Sequence, residues 1–251
     1  MKRLLIANRK GGVAKTTTTV TLGYLFAKTG LKVLIVDLDT QGHIQYGLGI
    51  KHCFEHGIHT ALEEESVDVK LLIQKSRIKN LDFIPANINF NSSKLQGVTR
   101  LDQLLEPLED RYDLILIDTA PMSDTLLEMA LFASNYVVVP MKTEYLGLVG
   151  TVQFIKIFYK TASKIETDFT FLGVIPTLYN KSLQDHQETI EKLTAVIGSQ
   201  KVLTPIRKDT KMSNIFKYGI RSLKREHSRA FEDYKEVAKS LLEKLKTHSN
   251  H

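Results

Sequence analysis

Short apolar runs alternate along this chain with segments whose apolar residues recur at helical spacing. The runs fall at 4–7, 33–36, 81–84, 114–117, 136–140, 171–175 and, weakly, 202–206. The helical patterns fall at 17–29, 100–109, 124–133, 146–164 and 183–198. Near-continuous apolar strands that alternate with helices are typical of a mostly parallel sheet covered on both faces. We therefore predict a doubly wound α/β fold in a single domain, 1–251.

A last helical pattern, at about 228–246, carries one apolar stripe. Its members are Ala230, Phe231, Tyr234, Val237, Ala238, Leu241, Leu242 and Leu245. Such a stripe suits either a membrane surface or the body of the domain. The polar residues 247–251 offer no bulky apolar anchor. Packing against the domain is therefore the favoured interpretation.

The composition excludes several classes of protein. One cysteine, Cys53, excludes a disulfide framework and an iron–sulfur site built within one chain. The basic and apolar start ends at Asn8 without a cleavage-type segment. No stretch approaches the roughly 18 apolar residues of a membrane span. We expect a cytoplasmic protein.

The positive charge is concentrated near the end of the chain. The net charge is +6, yet residues 1–200 hold 21 Lys and Arg against 22 Asp and Glu. Residues 201–251 hold 13 against 6 and carry the whole excess. A surface facing a polyanion is one reading of such a segment, and a solvated charged face is the other.

The stretch NRKGGVAKTTTT, at 8–19, has the character of a phosphate-binding loop. A strand feeds it and an amphipathic helix leaves it, so backbone N–H groups and a helix N-terminus converge on one place. Gly11 and Gly12 let the backbone approach phosphate oxygens closely. Lys15 can reach the terminal phosphates, and the Thr16 hydroxyl is placed to coordinate Mg²⁺.

An additional lysine, Lys10, precedes the glycine pair. With it the loop resembles the deviant Walker A motif, xKGGxxK[ST], of the ParA/MinD ATPases; Ala14 occupies an unrestricted position. The resemblance implies a P-loop NTPase with ATP and Mg²⁺ as cofactors. It also implies an ATP-dependent homodimer in which Lys10 reaches the partner's nucleotide. The residues expected to hold the nucleotide are Lys10, Gly11, Gly12, Val13, Ala14, Lys15, Thr16 and Thr17.

The stretch VLIVDLDTQGH, at 33–43, is an apolar strand followed by Asp37 and Asp39. It resembles the second signature of the family, DxDPQG(N). The resemblance implies that Asp39 orients or deprotonates the attacking water and that Asp37 lies near the metal. Thr40 and His43 depart from the usual proline and asparagine, beside the expected chemistry.

The stretch YDLILIDTAP, at 112–121, ends an apolar strand in Asp118, like a Walker B motif whose carboxylate holds Mg²⁺, usually through water. The residues 119–121 then resemble the switch that reports the γ-phosphate. A further stretch, 139–154, resembles a family segment near the dimer face, where we expect 145–150 to form a turn into a helix.

The edges expected to flank the adenine are 173–182 and 204–207. In relatives these positions surround the base, which makes Asn180 and Pro205 candidates for base contacts. A capping Asn and a turn Pro are equally good readings of the two residues.

For the basic segment the resemblance favours DNA. Short ParA proteins bind DNA non-specifically as ATP-bound dimers through this region, with strongly salt-sensitive phosphate contacts. The candidate contacts are Lys208, Lys211, Lys217, Arg221, Lys224 and Arg225, within a wider group that includes Lys201, Arg207 and Arg229. We expect no DNA-binding arm before the first strand, which makes the chain similar to the short, chromosome-type members.

Three functions are compatible with the sequence. The first is a DNA-partitioning ATPase that a ParB-like partner stimulates and releases from DNA, associated with the nucleoid and with weak intrinsic turnover. The second is a MinD-like membrane regulator, which needs an amphipathic C-terminal anchor. The third positions a protein cargo and differs from the first only in its partner. Nitrogenase-like reductases need cluster cysteines that Cys53 alone cannot provide.

Overall fold

A seven-stranded sheet lies at the centre of the protein. In this computed structural model, which describes residues 2–87, 90, 95–120, 124–224 and 227–247, the strand order is β3-β4-β2-β5-β1-β6-β7. The strands are β1 Lys2–Ile6, β2 Val33–Asp37, β3 Gln74–Lys75, β4 Leu81–Ile84, β5 Leu114–Asp118, β6 Tyr136–Lys142 and β7 Thr170–Thr177. All neighbours pair in parallel except β3, which is antiparallel to β4. The doubly wound α/β prediction is confirmed.

Helices cover both faces of this sheet. They are α1 Lys15–Lys28, α2 His43–Gly47, α3 Ile58–Glu63, α4 Arg100–Leu105, α5 Asp124–Phe132, α6 Tyr145–Lys164, α7 Gln184–Ile197, α8 Ile215–Tyr218 and α9 Arg229–Thr247. Successive residues of a strand point to opposite faces. Accordingly Leu34 packs in the core with α4, α5 and α6, whereas Val33 and Ile35 pack in the core with α1 and α9.

Two sequence expectations about boundaries are wrong. Residues 202–206 form no strand of the sheet. They contact β7 through an isolated bridge between Val174 and Val202 and through backbone hydrogen bonds from Leu203 to Val174 and from Ile206 to Pro176. Pro205 lacks the N–H that a continuous ladder needs. The expected turn at 145–150 is instead the start of α6, which begins at Tyr145.

The last helix, α9, packs against α1. Seven of the eight stripe residues are at most 7% exposed, and Leu242 is partly buried against the same core. The Tyr234 hydroxyl lies 2.9 Å from Thr18 Oγ1, and the rings of Tyr24 and Phe231 are 6.1 Å apart. The prediction that this stripe packs against the body is confirmed. None of the helices in the described ranges has the length and apolarity that crossing a membrane requires.

Candidate nucleotide site

The loop between β1 and α1 has the backbone shape of an anion site. Gly12 and Ala14 have φ values of 70° and 65°, in the left-handed region. Backbone of this kind turns successive N–H groups toward one concave side, and the first turn of α1 adds its own unpaired N–H groups. An alanine adopts this conformation at a cost of about 1–2 kcal/mol, so Ala14 holds a strained position in the loop.

Asn8 fixes the start of this loop. Its side-chain amide donates to the carbonyl of Pro140 at 2.8 Å and to Thr151 Oγ1 at 3.2 Å, and its Oδ1 accepts from the N–H of Lys10 at 3.0 Å. The side chain is 2% exposed. Asn8 was not predicted from the sequence, although a polar residue directly after the apolar run 4–7 is a signal for such a role.

Lys15 lies in the first turn of α1 with its ammonium group turned back to the loop. Nζ donates to the carbonyl of Lys10 at 3.0 Å, and the residue is 7% exposed. Burial lowers the pKa of Lys15, while the nearby carboxylates of Asp118 and Asp39 act in the opposite direction. The ammonium group therefore lies between the loop and the acidic strand ends.

Lys10 rests on α6 of its own chain. Its ammonium group donates to the carbonyl of Leu146, and its stem lies so close to Gly150 that a Cβ added there would be 2.6 Å from Lys10 Cε. Tyr145 and Leu146 beside it are 57% and 65% exposed. Lys10 thus joins the loop to an exposed apolar surface on the first turn of α6.

Two carboxylates end neighbouring strands. Asp37 ends β2, Asp118 ends β5, and the two are register partners. They are 1% and 0% exposed. Burial raises the pKa of Asp37 well above its usual value, and the charge of Asp118 adds to the effect. Burial also raises the pKa of Asp118 to about 6, against the opposing hydrogen bonds from Thr19 and Thr16.

Asp39 follows on the loop after β2. Its N–H donates to Asp37 Oδ1 at 3.0 Å, and its own Oδ1 accepts from the N–H of Gln41 at 3.0 Å. His59, which the sequence analysis missed, lies close enough for the charge of Asp39 to act on its pKa, and burial lowers that pKa to about 4. The histidine ring is therefore neutral at pH 7.

The buried oxygens suit a divalent cation. Thr19 donates to Asp118 Oδ1 at 2.6 Å, whereas Asp118 Oδ2 is buried without a hydrogen-bond partner among the described residues. Thr16 also approaches Asp118 closely enough to hydrogen-bond. A hydroxyl and carboxylates form the oxygen donor set that Mg²⁺ prefers, so these residues fit the ion.

A cavity of about 210 Å³ opens beside the start of α1. Thr17, Leu178, Ile206, Met212 and Phe216 are among the side chains that line it. From the predicted edge 204–207, Ile206 and Arg207 line the cavity. Met212 and Phe216 also line it but were not predicted, because two isolated apolar residues in a basic segment show no periodic pattern.

Asn180 and Pro205 are not among the described residues that line this cavity. Asn180 is exposed, and its Oδ1 accepts from the N–H of Ser182 at 3.1 Å, as a turn cap does. Base contacts by these two residues stay a prediction.

Some cations of the basic segment form hydrogen bonds or ion pairs within the chain, and others are exposed. Arg207 forms a two-pronged ion pair with Asp233 of α9, with N–O distances of 2.7 to 3.1 Å, and the Lys201 ammonium group donates to the carbonyl of Phe171 at 2.5 Å. These two side chains hold the fold together. Lys211 donates to the carbonyl of His227 at 3.1 Å.

Three of the predicted DNA contacts are exposed: Lys208, Lys217 and Arg221. The ammonium group of Lys217 lies 5.0 Å from the centre of the Tyr218 ring. The side chain of Lys224, together with Arg225 and with Pro121 of the expected switch, lies outside the described residues.

Comparison with known proteins identifies the family. A family described as an AAA domain matches residues 1–171. The sporulation initiation inhibitor protein Soj of Bacillus subtilis is 32% identical over 248 residues, which cover 96% of this chain and 98% of Soj. The chain belongs to the Soj/ParA family of ATPases.

Another relative and two solved structures are also similar to this chain. An uncharacterized protein of Mycobacterium tuberculosis is 31% identical over 204 residues, and the chain spans 64% of that relative's length. A plasmid partition protein of Borrelia burgdorferi bound to AMPPNP is 26% identical, with a TM-score of 0.78 over 97% of this chain and 99% of that one. MinD of Pyrococcus horikoshii with Mg-ADP shares the fold at 22% identity, 96% and 95% coverage and a TM-score of 0.79.

Proposed function

We propose that this Soj/ParA chain is a magnesium-dependent ATPase that partitions DNA. The loop 10–17 would hold the phosphates of ATP, the cavity beside α1 would hold its base, and Thr16, Asp37 and Asp118 would hold Mg²⁺. Bound there, the ion would supply positive charge that offsets the charge of the phosphates. Asp39 orients or deprotonates the attacking water. Intrinsic turnover is weak, as suits a timer.

One observation carries this proposal: Lys10 joins the nucleotide loop to the exposed surface formed by Tyr145 and Leu146. A cation at the rim of a nucleotide pocket, beside exposed apolar side chains, is placed to act in a second copy. Pairing two chains through this surface buries the two side chains and brings each Lys10 toward its partner's phosphates. Dimerisation then depends on bound ATP.

The dimer binds DNA without sequence preference through the basic segment, 201–251. Exposed Lys208, Lys217 and Arg221 support this role, because cations without a structural task are available for phosphate contacts. A ParB-like partner stimulates hydrolysis and thereby releases the dimer, so the protein associates with the nucleoid only while ATP is bound.

The test is DNA binding by the Asp39→Ala chain, which should trap the ATP-bound dimer. We expect it to bind random duplex DNA with Mg-ATP but not with Mg-ADP, and to lose affinity steeply between about 50 and 200 mM salt. The matched control, Asp185→Ala, removes an exposed carboxylate from α7 and should behave like the unaltered chain. DNA binding that is absent or independent of ATP would refute the DNA role.

The membrane alternative is tested with the same trapped dimer. The apolar stripe of α9 is buried, so we expect no ATP-dependent sedimentation with anionic vesicles. Sedimentation that requires ATP would favour a MinD-like regulator. Capture of a cargo protein in place of a DNA-binding partner by the trapped dimer would favour the third function.

A further inference from the structure

A second cavity lies at the opposite edge of the sheet from the nucleotide loop. Its volume is about 440 Å³, within the range of small-molecule sites. It is lined at the amino ends of three strands: Lys32 precedes β2, Lys79 and Asn80 precede β4, and Arg111 precedes β5. We name it the amino-edge cavity. Nothing in the proposed ATPase function uses it.

Positive charge dominates the lining of the amino-edge cavity. Lys32, Lys75, Lys79 and Arg111 line it against a single carboxylate, Asp82. Lys75 already pairs with that carboxylate, at 2.7 Å from Oδ2. The remaining three cations are exposed and form no ion pair within the described part of the chain.

The inner wall of the cavity contains a buried hydrogen bond. The Tyr112 hydroxyl donates to Asp82 Oδ2 at 2.8 Å, and the two residues are 7% and 9% exposed. Asp113 follows Tyr112 along the chain, and its Oδ2 accepts a hydrogen bond from the backbone N–H of Lys32 at 2.7 Å. The carboxylate of Asp82 is therefore shared between Tyr112 and Lys75, which leaves Lys32, Lys79 and Arg111 without an ion-pair partner among the described residues.

Three unpaired cations around one opening repel each other, and this repulsion does not help the chain to fold. A ligand with several negative charges relieves it, and does so most strongly in a concave site where water is partly excluded. A cavity of this volume admits a small molecule in preference to a nucleic-acid duplex. We propose that the amino-edge cavity binds a small anion that carries several phosphate charges.

The test uses amide NMR spectra of the full-length Lys15→Ala chain, in which the nucleotide loop is impaired, titrated with inorganic tripolyphosphate. We expect saturable shifts at residues 32, 75–82 and 111–112. We also expect the affinity to fall as salt rises and the Debye length shrinks. Shifts confined to 10–17, or unsaturable shifts spread over surface lysines, would overturn the proposal.

Charge reversal identifies the contacts. Lys79→Glu with Arg111→Glu should weaken tripolyphosphate binding by at least about tenfold, since two attractions become repulsions. Arg77→Glu is the matched control: it reverses an exposed charge two positions from Lys79 that does not line the cavity, and should change affinity less than about threefold. Equal weakening by the control would contradict a specific site.

Two further measurements complete the design. If the double variant loses its dispersed amide spectrum, Lys32→Gln, which removes one charge without reversing it, takes its place and should weaken binding about threefold or more. A short DNA duplex is titrated in parallel. A duplex that shifts the same amides at lower concentration than tripolyphosphate would replace the small ligand with nucleic acid and overturn the proposal.

Discussion

Asp37 and Asp118 sit at paired positions on neighbouring strands, and both carboxylates are buried in the sheet's carboxyl edge. Two negative charges so placed destabilise each other, and burial removes the water that would otherwise screen them. The chain tolerates this arrangement at its candidate metal site. Function and stability therefore oppose each other at these two residues.

Removing one of the two charges should stabilise the metal-free protein. Asp118→Asn keeps an oxygen for the Thr19 hydroxyl and abolishes the repulsion, so we expect the free energy of unfolding at pH 7 to rise by about 1–2 kcal/mol, or roughly 2–8 °C in Tm. Magnesium-dependent ATP hydrolysis should fall at least about tenfold. Thermal unfolding and phosphate release measure the two effects.

The pH dependence of this stabilisation follows from the pKa of Asp118, which rises from 3.8 to about 6 on folding. Below about pH 4 the carboxyl group is protonated in both states, so Asp118→Asn gains nothing there. The advantage should appear as pH rises from about 4 to 6 and stay constant above. Asp110→Asn, which removes an exposed carboxylate outside the site, is the matched control.

Lys15→Ala should abolish nucleotide binding. The ammonium group is held between the loop and the acidic strand ends, and under the proposed function its loss would remove a positive charge from the phosphate site. Titration with a fluorescent ATP analogue should show affinity reduced at least about a hundredfold. Lys28→Ala, at the other end of the same helix, serves as control and should bind normally.

Lys10→Ala should separate nucleotide binding from pairing. Its ammonium group contacts the Leu146 carbonyl and not the inside of the loop, so the single chain should bind ATP within about threefold of normal. Dimer formation with ATP, followed by light scattering, and hydrolysis should both fall at least about tenfold. Normal pairing and hydrolysis would contradict the proposed role.

Arg207→Ala should lower the free energy of unfolding. Its side chain pairs with Asp233 and also donates to the Arg229 carbonyl at 3.2 Å, so α9 loses an attachment when it is removed. With the side chain 38% exposed, we expect a loss of about 1–2 kcal/mol in urea unfolding. Lys208→Ala next to it should leave stability unchanged.

Gly219→Ala tests the contact between α8 and the segment after α2. A Cβ at Gly219 would lie 2.8 Å from Gly49 Cα, and its φ of 79° disfavours any side chain. Gly198 has a similar φ of 83° but open space around it. Gly198→Ala should therefore cost about 1–3 kcal/mol for backbone strain alone, and Gly219→Ala clearly more. If both variants lost the same free energy of unfolding in chemical denaturation, α8 would have moved away from Gly49 to admit the new Cβ.

The sheet was predictable because its strands are nearly continuous apolar runs, as burial on both faces requires. All six strong runs are strands, and the five segments with helical periodicity are helices, because each of these helices buries one face. The two-residue strand β3 and the short helices α2, α3 and α8 were missed. Elements this short carry too few periods to show a pattern, and packing determines them.

The parts of the candidate site that belong to a recognisable sequence motif could be predicted from the sequence. The loop 10–16 and the carboxylates Asp37 and Asp118 come together as the strand order requires. Asn8 and His59 could not be foreseen in the same way, because their importance lies in partners distant along the chain, such as Thr151 and Asn87. Arg207 looked like a surface cation for the same reason: Asp233 cannot be paired with it from spacing alone.

The hydrogen bond between Thr18 and Tyr234 joins positions 216 residues apart. The helix after the candidate nucleotide loop, α1, precedes α9 along the chain and packs against it. During synthesis α1 therefore lacks this packing partner until α9 has been made. Under the proposed function, packing of α9 on α1 therefore completes the support of the loop that would hold ATP.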